Sequence, residues 1–94
     1  MDQWHVYIVR CADGTLYTGI TLDIQRRLSQ HGGREGAKYF RGRHPEAVVY
    51  LECGHSRSTA SRREAQIKRL GRAQKLRLIG SARNEIGGTP LTAP

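Results

Sequence analysis

The sequence predicts a small mixed domain of the α/β (α+β) class, ordered strand, strand, helix, strand, helix, helix. Three observations lead to it. Two runs rich in β-branched and aromatic residues, Trp4 to Cys11 and Leu16 to Ile20, flank the turn signal Ala12-Asp13-Gly14-Thr15. A third apolar run, Ala47 to Cys53, follows much later in the chain. Between and after these runs, apolar residues recur at helical spacing.

The first two runs form a β-hairpin whose register depends on the turn. A two-residue turn at Asp13-Gly14 pairs position 12 with 15 and sends Tyr7 and Tyr17 to opposite faces. A three-residue loop, with Gly14 in the left-handed conformation, pairs 11 with 15 and sends both tyrosines to one face. Thr21 or Asp23 can cap the next segment as a helix running to about His31, where Gly32-Gly33 ends it. Ile24 and Leu28 lie at i,i+4 on its apolar stripe, and Arg27 and His31 fall on or beside that stripe.

Residues 32 to 46 read as a long basic loop with one short turn of helix around Ala37 to Arg41, and loops of that size are disproportionately functional. The third strand, Ala47 to Cys53, closes at Gly54. Ser56 or Ser58 begins a helix through Leu70 carrying Ala60, Ile67 and Leu70, and Gly71 separates it from a shorter helix with Leu76, Leu78 and Ile79. From Gly80 the composition turns to Gly, Ser, Thr, Asn and Pro. The domain is expected over residues 2 to 80, with 81 to 94 as a flexible tail.

A length of 94 residues suits one domain. No run approaches the roughly 18 apolar residues of a membrane span, and Met-Asp-Gln-Trp-His lacks a signal-peptide layout, so a cytoplasmic protein without membrane association is expected. Cys11 and Cys53 fit no close-spaced metal pattern and are expected as thiols in or near the core. The four histidines are dispersed, and no glycine-rich nucleotide loop is present, which argues against zinc sites, ATPases and dehydrogenases.

Charge is more informative. Sixteen Lys and Arg against eight Asp and Glu give a net charge of +8. Positions 26 to 83 hold fifteen of the basic residues and four acids. So dense a basic surface attracts a polyanion, because neutralised phosphates release counterions. Thirteen of the sixteen are arginine, which favours forked contacts to phosphate. Nucleic acid is therefore the expected partner, with Arg26, Arg34, Lys38, Tyr39, Arg41, Arg43, Arg57, Arg63 and Lys68 as its candidate contacts.

Four positions could carry chemistry. Tyr7 and Tyr17 are either rim-seeking packing residues or, in the second hairpin register, a pair facing one cleft. Arg27 must either snorkel from the edge of its helix or aim its guanidinium over the sheet, where it could stabilise charge on a phosphoryl group. Glu64 is the only acid between 57 and 77. It either pairs with Lys68 at i,i+4 or holds one divalent magnesium whose shell is completed by waters and a phosphate oxygen.

In sequence order, His5-Val6-Tyr7, Tyr17-Thr18-Gly19, Thr21, Asp23, Arg26-Arg27-Leu28 and His31 resemble the GIY-YIG nuclease domain. Gly36-Ala37-Lys38-Tyr39, Arg43-His44-Pro45, Val49-Tyr50, Arg57-Ser58, Arg62-Arg63-Glu64 and Ile67-Lys68 reinforce the likeness. The pattern looks like the small single-domain, uncharacterised branch of that superfamily, whose relatives include structure-selective endonucleases. The resemblance implies a three-stranded antiparallel sheet flanked by helices. It also implies an Mg²⁺-dependent endonuclease that hydrolyses phosphodiesters in DNA, with branched or damaged DNA among the candidate substrates.

Residue by residue, the resemblance makes Tyr7 and Tyr17 the paired tyrosines, one of which orients or deprotonates the attacking water. Arg27 becomes the transition-state arginine, Glu64 the single carboxylate for one Mg²⁺ or Mn²⁺ ion bound with substrate, and His31 an aid to proton transfer. The sequence departs from the name motif at His5, where the family has glycine, and at Thr18, where it has isoleucine. Larger members add a polar residue after the glutamate helix and a separate DNA-binding domain. Here Asn84 falls in the expected tail, so a weak nuclease, or one dependent on a protein partner for specificity, suits the chain. A nucleic-acid-binding module with little or no cleavage is the alternative.

Overall fold

A computed structural model of the chain describes residues 3–31, 44–87 and 91–92. The basic loop through position 43, with its expected turn of helix and the candidate contacts Arg34, Lys38, Tyr39, Arg41 and Arg43, lies outside the described residues.

The elements are β1 (Trp4–Cys11), β2 (Leu16–Thr21), α1 (Ile24–His31), β3 (Pro45–His55), α2 (Arg57–Lys68), α3 (Arg72–Ile79) and β4 (Leu91–Thr92). The strands are ordered β2-β1-β3-β4 with antiparallel pairing throughout. The expected three-stranded sheet and its helices are present. Their edge is extended by β4, which pairs Leu91 and Thr92 with Val48 and Ala47.

Because β1 is central and covered on both faces, it reads as an almost continuous apolar run rather than an alternating one. Val6 and Ile8 face Tyr50, Ala60 and Ile67, with Leu78 and Ile79 packed alongside, so α2 and α3 cover this side. Tyr7, Val9 and Cys11 point the other way, against Leu28 of α1 and Val48 of β3. Register shifts between β1 and β3 make this possible: Ile8 stands opposite Tyr50 but Val9 opposite Val48, so Val49 is the extra residue of a bulge.

The helix starts are decided by local hydrogen bonds. The Asp23 carboxylate accepts from the Arg26 amide at 3.1 Å, while the Thr21 hydroxyl accepts from the Asp23 amide at 3.2 Å. Asp23 is therefore the cap of α1, and Thr21 shapes the turn before it. Ser56 caps α2 by accepting from the Thr59 amide at 3.1 Å, and the Thr59 hydroxyl accepts from the Ser56 amide at 3.0 Å. Ser58 lies inside the helix.

Beyond α3 the chain is held in a way that its composition does not suggest. The Asn84 side-chain amide donates to the Val49 and Ile79 carbonyls, both at 2.8 Å, and its oxygen accepts from Leu51 and Ile86 amides at 3.1 and 3.0 Å. Glu85 adds a carboxylate bond to the Cys53 amide at 2.8 Å. Among the described residues neither cysteine is in a disulfide; Cys11 is buried, whereas Cys53 is exposed rather than in the core.

Candidate active site

The hairpin adopts the three-residue connection. The Cys11 amide donates to the Thr15 carbonyl and the Gly14 amide to the Cys11 carbonyl, both at 2.9 Å, and Gly14 has φ of +84°. Glycine adopts that left-handed conformation without a Cβ penalty. Val9 consequently stands opposite Tyr17 and Tyr7 opposite Gly19, so the two tyrosines project from the same face.

Gly19 is what allows Tyr7 to lie where it does. A Cβ at position 19 would fall 2.5 Å from the Tyr7 hydroxyl oxygen and 2.7 Å from the ring carbon that bears it. The ring thus crosses β2 directly over the glycine, and its hydroxyl is carried toward the β2 side of the sheet. There the Arg27 Nε donates to it at 3.4 Å. Of the two alternatives for Arg27, the guanidinium is aimed over the sheet; neighbouring Arg26 is exposed.

Burial pushes the Tyr7 phenol up to about 12, with Arg27 opposing the rise and the charges of Tyr17 and Glu64 adding to it. Tyr7 is therefore a neutral hydroxyl at physiological pH, able to donate as well as accept. The bond to Tyr7 in turn raises the Arg27 pKa, with a contribution from Tyr17. Tyr7 and Arg27 are thus hydrogen-bonded across β1 and α1, and the charges of Tyr17 on β2 and Glu64 on α2 act on Tyr7.

Glu64 lies on α2 between the buried Ala60 and Ile67, one turn from each, and its side chain is 25% exposed. Its Oε2 is 3.6 Å from Lys68 Nζ, so the expected i,i+4 pair is present, although Lys68 is more than half exposed and the pair is weak. One carboxylate in that position fits a water-rich Mg²⁺, which is commonly held by one or two carboxylates plus substrate phosphate oxygens. Among the described residues there is no cluster of three or more His, Cys, Asp or Glu to form a fuller cage.

Other candidate residues fare differently. Arg57 is exposed and its guanidinium lies over the Trp4 ring, 5.6 Å from the centroid. Arg63 is turned inward: its Nε donates to Glu52 at 2.8 Å and its Nη1 to Gln66 at 3.1 Å. That geometry engages its Nε and Nη1 with protein acceptors. His31 closes α1, and its side chain lies outside the described residues.

Glu52, which sequence reasoning passed over, anchors a polar network on the α2 face. It accepts from Tyr50, lies 2.9 Å from His55 Nε2 and pairs with Arg63. Burial alone would raise its pKa, but the hydrogen bonds from Tyr50, Arg63 and His55 outweigh it and hold the carboxyl below its ordinary value. Burial, with the bond to Glu52, pushes the Tyr50 phenol up to about 12. The available signal was an acid within an apolar strand two residues after a tyrosine, a spacing that places both on one face.

The structure thus places two tyrosines on one face of a hairpin, with an arginine reaching over the sheet and a helical carboxylate whose charge acts on Tyr7. Residues 3–77 match the GIY-YIG catalytic domain, and the chain belongs to that family. It is similar to the UPF0213 protein of Halobacterium salinarum, 54% identical over 71 residues that cover 76% of this chain and 92% of the relative. A UPF0213 protein of Staphylococcus aureus is 47% identical over 79 residues, covering 84% of this chain and 96% of its own. The solution NMR structure of a UPF0213 protein from Bacillus halodurans superposes with a TM-score of 0.55 at 40% identity, covering 85% of each chain. The family supports endonuclease-like function in general terms, and with it a nucleic-acid substrate and a divalent metal ion. None of the described helices is long and apolar enough to cross a membrane.

Proposed function

We propose that this protein is a metal-dependent endonuclease that hydrolyses phosphodiesters in DNA, branched or damaged DNA included, with specificity supplied in part by a protein partner. The observation that carries the reading is the Arg27 to Tyr7 hydrogen bond at a hydroxyl that also feels the Glu64 charge.

In this reading Arg27 holds the scissile phosphate and offsets the charge that grows on its oxygens in the transition state, where fixed positive charge has most effect. Tyr7, kept neutral, orients the attacking water by accepting a hydrogen bond from it, or a phosphate oxygen by donating one to it. Tyr17 faces the same space from the next strand and shares the handling of the water's proton with His31 at the end of α1. Glu64 would hold a single Mg²⁺ or Mn²⁺, which when bound lowers the barrier by drawing negative charge from the phosphate and leaving group. The exposed arginines, Arg26 and Arg57 among them, supply affinity through phosphate charge.

A second reading, a binding module with little or no cleavage, is favoured by the Glu64 to Lys68 pair, which gives that carboxylate a structural occupation. A panel of single-stranded, duplex, flap and junction DNA with Mg²⁺ or Mn²⁺ separates them. Glu64→Gln should retain folding and DNA binding while cleavage falls by orders of magnitude. Arg27→Ala should lose cleavage comparably, whereas Arg26→Ala should weaken DNA binding and cut normally at saturating DNA. Cleavage by Glu64→Gln equal to wild type, in a preparation free of contaminating nuclease, would establish the binding module instead.

A further inference from the structure

At the open end of the β2 edge, a groove of about 340 Å³ runs between β2 and the start of α1, with Trp4, Leu22, Asp23, Arg26 and Arg27 among its lining. Its lining includes Arg27, the residue bonded to Tyr7. It also includes Trp4, over whose ring the Arg57 guanidinium lies. Leu22 is 56% exposed, an apolar side chain left in solvent beside the aromatic. Asp23 is the one acid of the lining, and its carboxylate is engaged as the α1 cap.

An aromatic ring with a guanidinium over it, an exposed apolar shoulder and two further arginines match the parts of a nucleotide. Bases stack on such planes irrespective of sequence, while arginines track the backbone. A duplex base pair is already stacked on its neighbours and cannot enter a groove of this size without leaving them, so the occupant must be unpaired.

We propose that this groove is a subsite for one unpaired nucleotide of a DNA strand next to the scissile phosphate. Its base lies against Trp4, whose ring Arg57 braces, and its phosphate against Arg26, beside the scissile phosphate at Arg27. The inference rests on the nuclease reading for the identity of the phosphate at Arg27. It gives the site a means of selecting unpaired strands that a uniformly basic surface lacks.

Trp4 is the only tryptophan in the chain, so its fluorescence reports on the subsite directly. The full chain, with divalent metal chelated so that no strand is cut, is titrated with an oligothymidylate of about eight nucleotides and with an abasic oligonucleotide of the same length and charge. Trp4 fluorescence should be quenched by the first and not by the second, with about tenfold weaker binding of the abasic strand. Arg57→Lys, which keeps charge but loses the plane, should bind the oligothymidylate several-fold more weakly and the abasic strand as wild type does. Equal affinity and equal quenching with the two strands, or binding of the oligothymidylate without quenching, would overturn the subsite. Failure to cleave any substrate with Mg²⁺ would count against the nuclease reading and leave the fluorescence result standing.

Discussion

Tyr7 lies across the backbone of Gly19 on the neighbouring strand so closely that a Cβ there would be 2.5 Å from the tyrosine hydroxyl. The pairing explains why a glycine, weak in a strand interior, occurs at the centre of this hairpin face: it vacates the volume that the ring fills.

Gly19→Ala should therefore displace the Tyr7 ring and break its bond to Arg27. Overpacking of this kind costs about 1–3 kcal/mol. Urea unfolding should show that loss, and cleavage by the folded variant should fall toward the level of Tyr7→Phe. Wild-type activity in Gly19→Ala would show that the position of Tyr7 is immaterial to the reaction.

The Glu52 to Arg63 pair is largely shielded from solvent, so removing Arg63 leaves the Glu52 charge without its cationic partner and held only by Tyr50 and His55. Arg63→Ala should destabilise the fold by about 3 kcal/mol, and Glu52→Gln should also destabilise it. Under conditions where both variants are folded, Arg63→Ala should change DNA affinity less than Arg57→Ala, because the Arg63 fork faces Glu52 and Gln66. Equal losses of affinity would mean that Arg63 leaves its partners for phosphate.

Thr18 is 3% exposed, and its hydroxyl has no hydrogen-bond partner among the described residues. Thr18→Val keeps the shape and removes the stranded polar atom, so it should stabilise the protein by about 1 kcal/mol, read as a higher urea midpoint at unchanged slope. No gain would indicate that the hydroxyl is satisfied by water.

Stability should fall at both ends of the pH range. Tyr7 and Tyr50 keep their phenolic protons to about 12 when folded. An unfolded tyrosine loses its proton near 10, so deprotonation favours the unfolded chain as pH rises from about 10 through 12. The stabilisation is complete below that window and lost across it, and Tyr7→Phe should reduce the loss. Glu52 has the opposite sign: its lowered pKa contributes stability above the ordinary carboxylate range that is lost as pH falls through the folded value. Unfolding midpoints measured across pH check both limbs, and a flat alkaline limb would contradict the burial of the phenols.

The sequence by itself determined the first three strands and the three helices, though not β4, because their signals are local. The β-branched runs, the Asp13-Gly14 turn, the capping side chains and the helical spacing of Ile24 with Leu28 and of Ala60 with Ile67 each act within a few residues. Tyr7, Tyr17, Arg27 and Glu64 could be singled out, but only tertiary structure decided that they interact. Their meeting requires a three-residue hairpin loop, a glycine opposite Tyr7 and two helices packed on different sides of the sheet. Tertiary structure alone also turned Arg63 from surface charge into a partner of Glu52, and tied Asn84 to β3 where composition suggested a frayed end. In each case the deciding partner is more than ten residues away or on another element, and neither charge nor hydropathy at a single position carries the direction in which a side chain points.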